Sequence, residues 1–118
     1  IVDTGLNFIC DRMESNSAEG VMSHMALGSG TTAPAAGNTA LESQLGSREA
    51  LDSSTVTNNQ IVFISSFEAG DATGAVSEAG IFNAASGGTM LCRVTFSVVN
   101  KAADDVLSIN WTITLTAS

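Results

Sequence analysis

The stretch EAGIFNAASGGTMLCRVTFSV, residues 78–98, decides the fold. Two runs rich in β-branched and aromatic residues flank Ala84 to Gly88, a cluster of turn formers, and that order reads as a β-hairpin. Placing Asn83 opposite Gly88 sets Ile81 against Met90, Ala79 against Cys92 and Glu78 against Arg93. Met90, Cys92, Val94, Phe96 and Val98 then point inward with Ile81 and Ala79, while Leu91, Arg93, Thr95 and Ser97 point outward with Glu78. A one-residue slip would turn the whole apolar set to water. Glu78 and Arg93 are expected as a cross-strand surface pair worth about 0.2–1 kcal/mol.

Outward from this hairpin the chain continues to read as β. Leu107, Ile109, Trp111, Ile113 and Leu115 alternate with Ser108, Asn110, Thr112 and Thr114, which makes a strand with Trp111 on its core face and hydroxyls on the other. Residues 48–57 and 60–68 flank Asn58-Asn59, and asparagine accepts the left-handed backbone of a two-residue hairpin turn. Residues 21–28, VMSHMALG, alternate as a first strand. GSGTTAPAAGN (28–38) holds the sole proline, Pro34, and reads as a surface loop. Leu41 and Leu45 suit a short helical turn begun by Asn38 or Thr39. Near the N-terminus, Leu6, Ile9, Cys10 and Met13 share a helical face that Thr4 can cap. The expectation is a mainly β chain: a β-sandwich of about six antiparallel strands with one N-terminal helix. It forms a single domain, 1–118, with the helix at 1–15, the sandwich at 21–117 and the loop at 28–38.

Composition narrows the function. The chain has 118 residues, a formal net charge of −8 and a charged fraction of 14%, well below the roughly 25% of typical soluble domains. Ser, Thr, Asn, Ala and Gly must therefore cover much of the surface, which hints at assembly. Arg12, Arg48, Arg93 and Lys101 are the only basic side chains and none adjoins another, so neither nucleic acid nor an anionic membrane surface is an expected partner. No apolar run approaches the roughly 20 residues that span a bilayer, and no secretory pattern opens the chain, so it is expected to be made in the cytoplasm.

The residues offer little for catalysis. There is one histidine and no tyrosine, and His24 falls within a strand with no visible acid or nucleophile beside it. Gly28-Ser29-Gly30 lacks the Gly-Lys-Ser/Thr ending of a phosphate loop. Asp104-Asp105 supply too few oxygens for calcium and suit a turn. Asn110-Trp111-Thr112 is a formal glycosylation sequon inside a strand. Cys10 and Cys92 read as buried free thiols, with a disulfide as the alternative if they pack side by side. No enzymatic activity, metal or cofactor is expected. A carbohydrate-binding role ranks low, because Tyr is absent and Trp111 faces the core.

Three segments carry a resemblance. SHMALGSGTTAPAAGNTALESQL (23–45), SEAGIFNAASGGTMLCRVTF (77–96) and SINWTITL (108–115) together resemble the decoration, or cement, proteins that some tailed phages place on the outside of their capsids. They are also similar to the N-terminal module of phage tail-collar fibres, through His24-Met25-Ala26, the Gly28–Gly37 loop, Thr39-Ala40-Leu41 and Glu78-Ala79-Gly80-Ile81-Phe82. The resemblance spans nearly the whole chain and implies a non-enzymatic virion protein that is assembled in the host cytoplasm. Its first expected role is capsid decoration that stabilises the head. The alternative is a tail, collar, baseplate or fibre attachment protein, and the short length favours decoration. Implied partners are the major capsid protein, other virion proteins and further copies of itself, with a trimer as one arrangement. The expected contact surface is the N-terminal helix with Ser29, Gly30, Thr31, Thr32, Ala33, Pro34, Ala35, Ala36 and Gly37. Glu78, Arg93, Gly80 and Trp111 are expected to be structural.

Overall fold

The computed structural model describes residues 1–117. One helix, α1 (Asp3–Met13), precedes seven strands: β1 (His24–Gly28), β2 (Glu49–Ala50), β3 (Ser53–Thr57), β4 (Gln60–Phe67), β5 (Gly74–Phe82), β6 (Met90–Lys101) and β7 (Leu107–Thr114). They form two antiparallel sheets, β2-β1-β5-β6 and β3-β4-β7. The sheets face each other as a sandwich.

The seventh strand comes from a break in residues 48–57. Glu49 and Ala50 pair with β1, whereas Ser53 to Thr57 pair with β4. The chain therefore changes sheet at Leu51-Asp52, and Asp52 N–H donates to Ile64 O at 2.7 Å. A strand that crosses between layers joins the two sheets at this corner. The β3–β4 hairpin turns on Asn58-Asn59 with Thr57 opposite Gln60. Asn58 takes φ +53°, a left-handed conformation that asparagine tolerates better than most residues.

Met25, Leu27, Val76 and Ile81 of the first sheet meet Phe63 and Phe67 of the second, and all six are buried. Ile61, Ile109, Trp111 and Ile113 pack against them while remaining partly exposed. A second, smaller cluster lies on the far face of the first sheet, where Val2, Ala26, Phe82 and Met90 pack with Leu41. The first sheet is thus covered on both faces, which is why Met25 to Gly28 are all buried in β1. Among the described residues no helix is long and apolar enough to cross a membrane.

Five local expectations are corrected. The β5–β6 register is shifted by two: Glu78 faces Thr95, Ala79 faces Val94, Gly80 faces Arg93 and Ile81 faces Cys92. An irregularity between Ile81 and Phe82 leaves Leu91 as an extra residue, and Met90 consequently joins the far-face cluster with Phe82. A bulge changes which side a residue presents, and strict alternation does not foresee it.

The helix buries a different face. Val2, Gly5 and Phe8 turn inward, whereas Leu6 and Met13 are exposed, Met13 to 80%. Gly5 sets this face, because a Cβ there would strike the Leu91 carbonyl, and only glycine allows so close an approach. Thr4 does not cap the helix; its hydroxyl donates to Met90 O at 3.1 Å. Cys10 is exposed and only Cys92 is buried; both are free thiols.

Residues 39–45 form no helical turn. Ser29 N–H donates to Ser43 O and Leu45 N–H to Leu27 O, each at 2.8 Å, with a bridge between Gly28 and Gln44. The segment runs extended beside the end of β1, and Leu41 and Leu45 reach different apolar clusters.

Candidate functional site, a loop latched by a buried ion pair

The face of β5 and β6 that the alternating pattern assigns to solvent is covered by residues 29–43. Ser77 and Glu78 both face this covering segment, because the β5–β6 ladder is irregular between Val76 and Glu78. The Ser77 hydroxyl donates to Gly30 O at 2.8 Å, and the Glu78 carboxylate accepts Gly30 N–H at 2.7 Å. Gly30 is held from both its amide and its carbonyl.

Glu78 organises the rest. Its Oε2 also accepts Ser43 N–H at 2.8 Å, and its Oε1 accepts Glu42 N–H and Arg93 Nε, both at 2.9 Å. The side chains of Glu78 and Arg93 are 0% and 2% exposed, so the surface pair expected from the sequence is instead a buried one. The covering loop is the reason. Arg93 completes the latch with Nη1 donating to Asn38 Oδ1 at 3.2 Å and Nη2 to Thr32 O at 3.0 Å.

Burial alone pushes the Glu78 carboxyl up, but the Arg93 guanidinium and the amides of Glu42, Ser43 and Gly30 outweigh it. The group is held below the ordinary carboxylate range and stays ionised. Four donors occupy its two oxygens, so it acts as an anchor and offers no free lone pair as a base. Gly28 and Gly30 make room for it: a Cβ at either position would collide with the Glu78 carboxylate.

A second carboxylate closes the loop from the solvent side. Glu42 accepts Thr31 N–H at 2.9 Å, Thr32 N–H at 3.3 Å and the Thr32 hydroxyl. The Thr32 hydroxyl, then the amides of Thr32 and Thr31, lower its pKa. Ala35 N–H donates to Asn38 Oδ1 at 2.9 Å, and Asp3 N–H donates to Ala36 O at 2.8 Å. That last bond ties the loop to the start of α1, so loop and helix form one continuous surface. Thr31 to Gly37 are all exposed.

Of the residues singled out in the sequence, Ser29 to Gly37, Glu78, Arg93 and Gly80 come together here. Gly80 lies beneath Leu41, whose Cδ2 stands 2.9 Å from where a Cβ would be. Trp111 lies elsewhere, opposite Phe63 in the second sheet and only partly buried. Sequence reasoning missed Asn38, Glu42 and Ser77. Asn38 carried a signal, since it reads as a cap, but its partner lies 55 residues away. His24 sits in β1 with Nδ1 2.7 Å from the Ser23 hydroxyl. Among the described residues no three His, Cys, Asp or Glu side chains are grouped to hold a metal ion.

No protein-family model matches this chain, and no curated protein matches it in sequence.

Proposed function

We propose that the chain is a non-enzymatic structural protein of a tailed-phage virion, a decoration protein that binds the outside of the head and stabilises it. The observation that carries this reading is the Ser29–Gly37 loop. It is exposed from Thr31 to Gly37, and Glu78 and Arg93 fix its backbone from beneath. An ordered, exposed loop of this length in a small domain serves recognition more often than packing. Because the loop is already ordered, binding costs little further conformational entropy. The resemblance of residues 23–45 and 77–96 to capsid decoration proteins falls on this loop and its latch, and the acidic surface would keep a densely coated particle soluble.

The partner in this reading is the major capsid protein, and the location is the virion. Co-sedimentation with purified capsid shells tests it. The wild-type chain should pellet with shells, and an Ala33→Arg/Ala35→Arg variant, altered only in exposed loop side chains, should stay in the supernatant with unchanged thermal unfolding. A wild-type chain that never pellets with shells rules the decoration role out. The tail, collar or fibre attachment reading rests on the same loop pattern and differs in where the protein sits.

A further inference from the structure

Residues 29–43 leave the sandwich and return to it at almost the same point. Ser29 N–H donates to Ser43 O at 2.8 Å, and the Gly28–Gln44 bridge and the bond from Leu45 N–H to Leu27 O lie directly behind it. A segment whose ends meet in this way is an Ω-loop, and it can swing off the body as a unit because only its two adjoining ends must turn.

What holds it down is almost wholly polar. Gly30 is buried, Asn38 and Leu41 are half-buried, and the rest of the segment is exposed. Leu41 is its one side chain that packs against an apolar cluster among the described residues. Every hydrogen bond described between the segment and the β5–β6 face runs to Glu78, to its neighbour Ser77 or to its counter-ion Arg93. The main core of Met25, Leu27, Phe63 and Phe67 lies on the other face of the first sheet, so it does not depend on the segment. Regions with few buried apolar contacts open first, below the free energy of global unfolding.

A single proton defeats the polar arrangement. The two Glu78 oxygens accept three amides and the Arg93 Nε. A protonated oxygen puts an O–H into that ring of donors, where it finds no acceptor, and leaves the guanidinium buried without a counter-ion. The charged side chains of the latch around Glu78 are Arg93 on β6 and Glu42 in the segment itself, whose carboxylate is turned to Thr31 and Thr32. β1 faces Glu78 with Gly28, its His24 standing at the far end of the strand opposite Phe82, and α1 meets the segment through the Asp3 amide on Ala36.

We infer that the 29–43 segment is an acid-released strap: protonation of Glu78 frees it as a unit while the sandwich beneath stays folded. Near neutral pH the strap holds Thr31 to Gly37 in one ordered shape, and in acid that surface becomes mobile. With the strap closed the carboxyl is held below its ordinary 4.5, and with the strap open it returns to that value. The open form therefore binds the proton more tightly, and between the two values the ratio of open to closed strap rises about tenfold for each unit fall in pH. The inference concerns the isolated chain and stands apart from the capsid reading.

NMR of the isotope-labelled chain, titrated from pH 7 to pH 3, tests it. The amides of Gly30, Glu42 and Ser43 should leave their native positions together and follow the side-chain carboxyl carbon of Glu78, while those of Met25, Phe63 and Ile81 keep theirs. Glu42→Gln should retain this transition. Glu78→Gln should show the strap amides already displaced at pH 7 and insensitive to acid; if that variant does not fold, the wild-type titration and Glu42→Gln carry the test. Strap and core amides lost in one transition, strap amides that stay native while Glu78 titrates, or a transition abolished by Glu42→Gln would overturn the inference.

Discussion

Arg93 reaches Glu78 on the diagonal of the β5–β6 ladder. It sits opposite Gly80, two residues along from the Thr95 that faces Glu78, and its Nε donates to Oε1 at 2.9 Å with both side chains withdrawn from water. Long side chains bridge such diagonal positions readily. The position matters because the same carboxylate takes three amides from the 29–43 segment, so loop and sheet share one electrostatic anchor.

Removing the charge should therefore cost far more than losing a surface pair. Glu78→Gln leaves the Arg93 guanidinium buried without its counter-ion and sets an amide NH₂ among N–H donors. Urea denaturation should show a loss of about 3–5 kcal/mol. Hydrogen exchange at Gly30, Glu42 and Ser43 should accelerate even where the core stays protected. A loss below about 1 kcal/mol, the range of exposed pairs, would contradict the latch.

The pH dependence follows from the direction of the shift. The folded pKa of Glu78 lies below its ordinary value of 4.5. On acidification the unfolded chain takes up this proton first, so the stabilisation is complete above about pH 5 and is lost as pH falls through the folded pKa. Stability measured from pH 6 to pH 2 should decline, and more steeply for wild type than for Glu78→Gln. Equal slopes would place the acid sensitivity elsewhere, Glu42 and Asp11 also being lowered.

Glu49 should behave in the opposite sense. Burial, then its hydrogen bond and charge contact with Asp71, raise its carboxyl above 4.5. Its ionisation opposes folding at neutral pH, and that cost is relieved as pH falls through the raised folded value. Glu49→Gln should stabilise the chain by about 0.5 kcal/mol near pH 7, within the range of surface substitutions. The gain should shrink toward pH 4, and a destabilised variant at pH 7 would contradict the assignment.

Thiol labelling should separate the cysteines. Cys10 is exposed, whereas Cys92 is buried and burial pushes its thiol up to about 12. Because the thiolate is the reactive form, a disulfide reagent should modify one thiol per folded chain quickly and the second only on unfolding. Rapid modification of both would contradict the buried position of Cys92.

Gly30→Ala tests the packing of the loop on its anchor. The added methyl meets the Glu78 carboxylate and Glu42 Cβ, so a cost of about 1–3 kcal/mol is expected from overpacking. Gly37→Ala, with nothing within 4 Å of the new Cβ, should be nearly neutral. Equal effects at the two positions would argue against a tight fit of Gly30 on the carboxylate, and so against the latch.

The sheets were legible in the sequence because their signals are local. Leu107 to Thr114 alternates cleanly between a half-buried and an exposed face, and Asn58-Asn59 marks its own turn. The site was only partly legible. Glu78 and Arg93 stood out as opposite charges near each other, but Glu42 lies 36 residues from Glu78, and no periodicity links a loop amide to a strand carboxylate. The same distance hid the burial of the pair: alternation assigns Glu78 to an outer face and does not say that another segment covers it. The helix misled because VDTGLNFICDRM offers two apolar stripes, and the choice between them rests on the Gly5 contact with Leu91, a tertiary fact.

The central claim is that this chain is a structural part of a virion head. Mass spectrometry of density-gradient-purified particles, split into head and tail fractions, tests it most directly. The expected result is the chain in the head fraction at hundreds of copies per particle; a few copies confined to tails would move it to the collar or fibre, and absence from particles would contradict the claim.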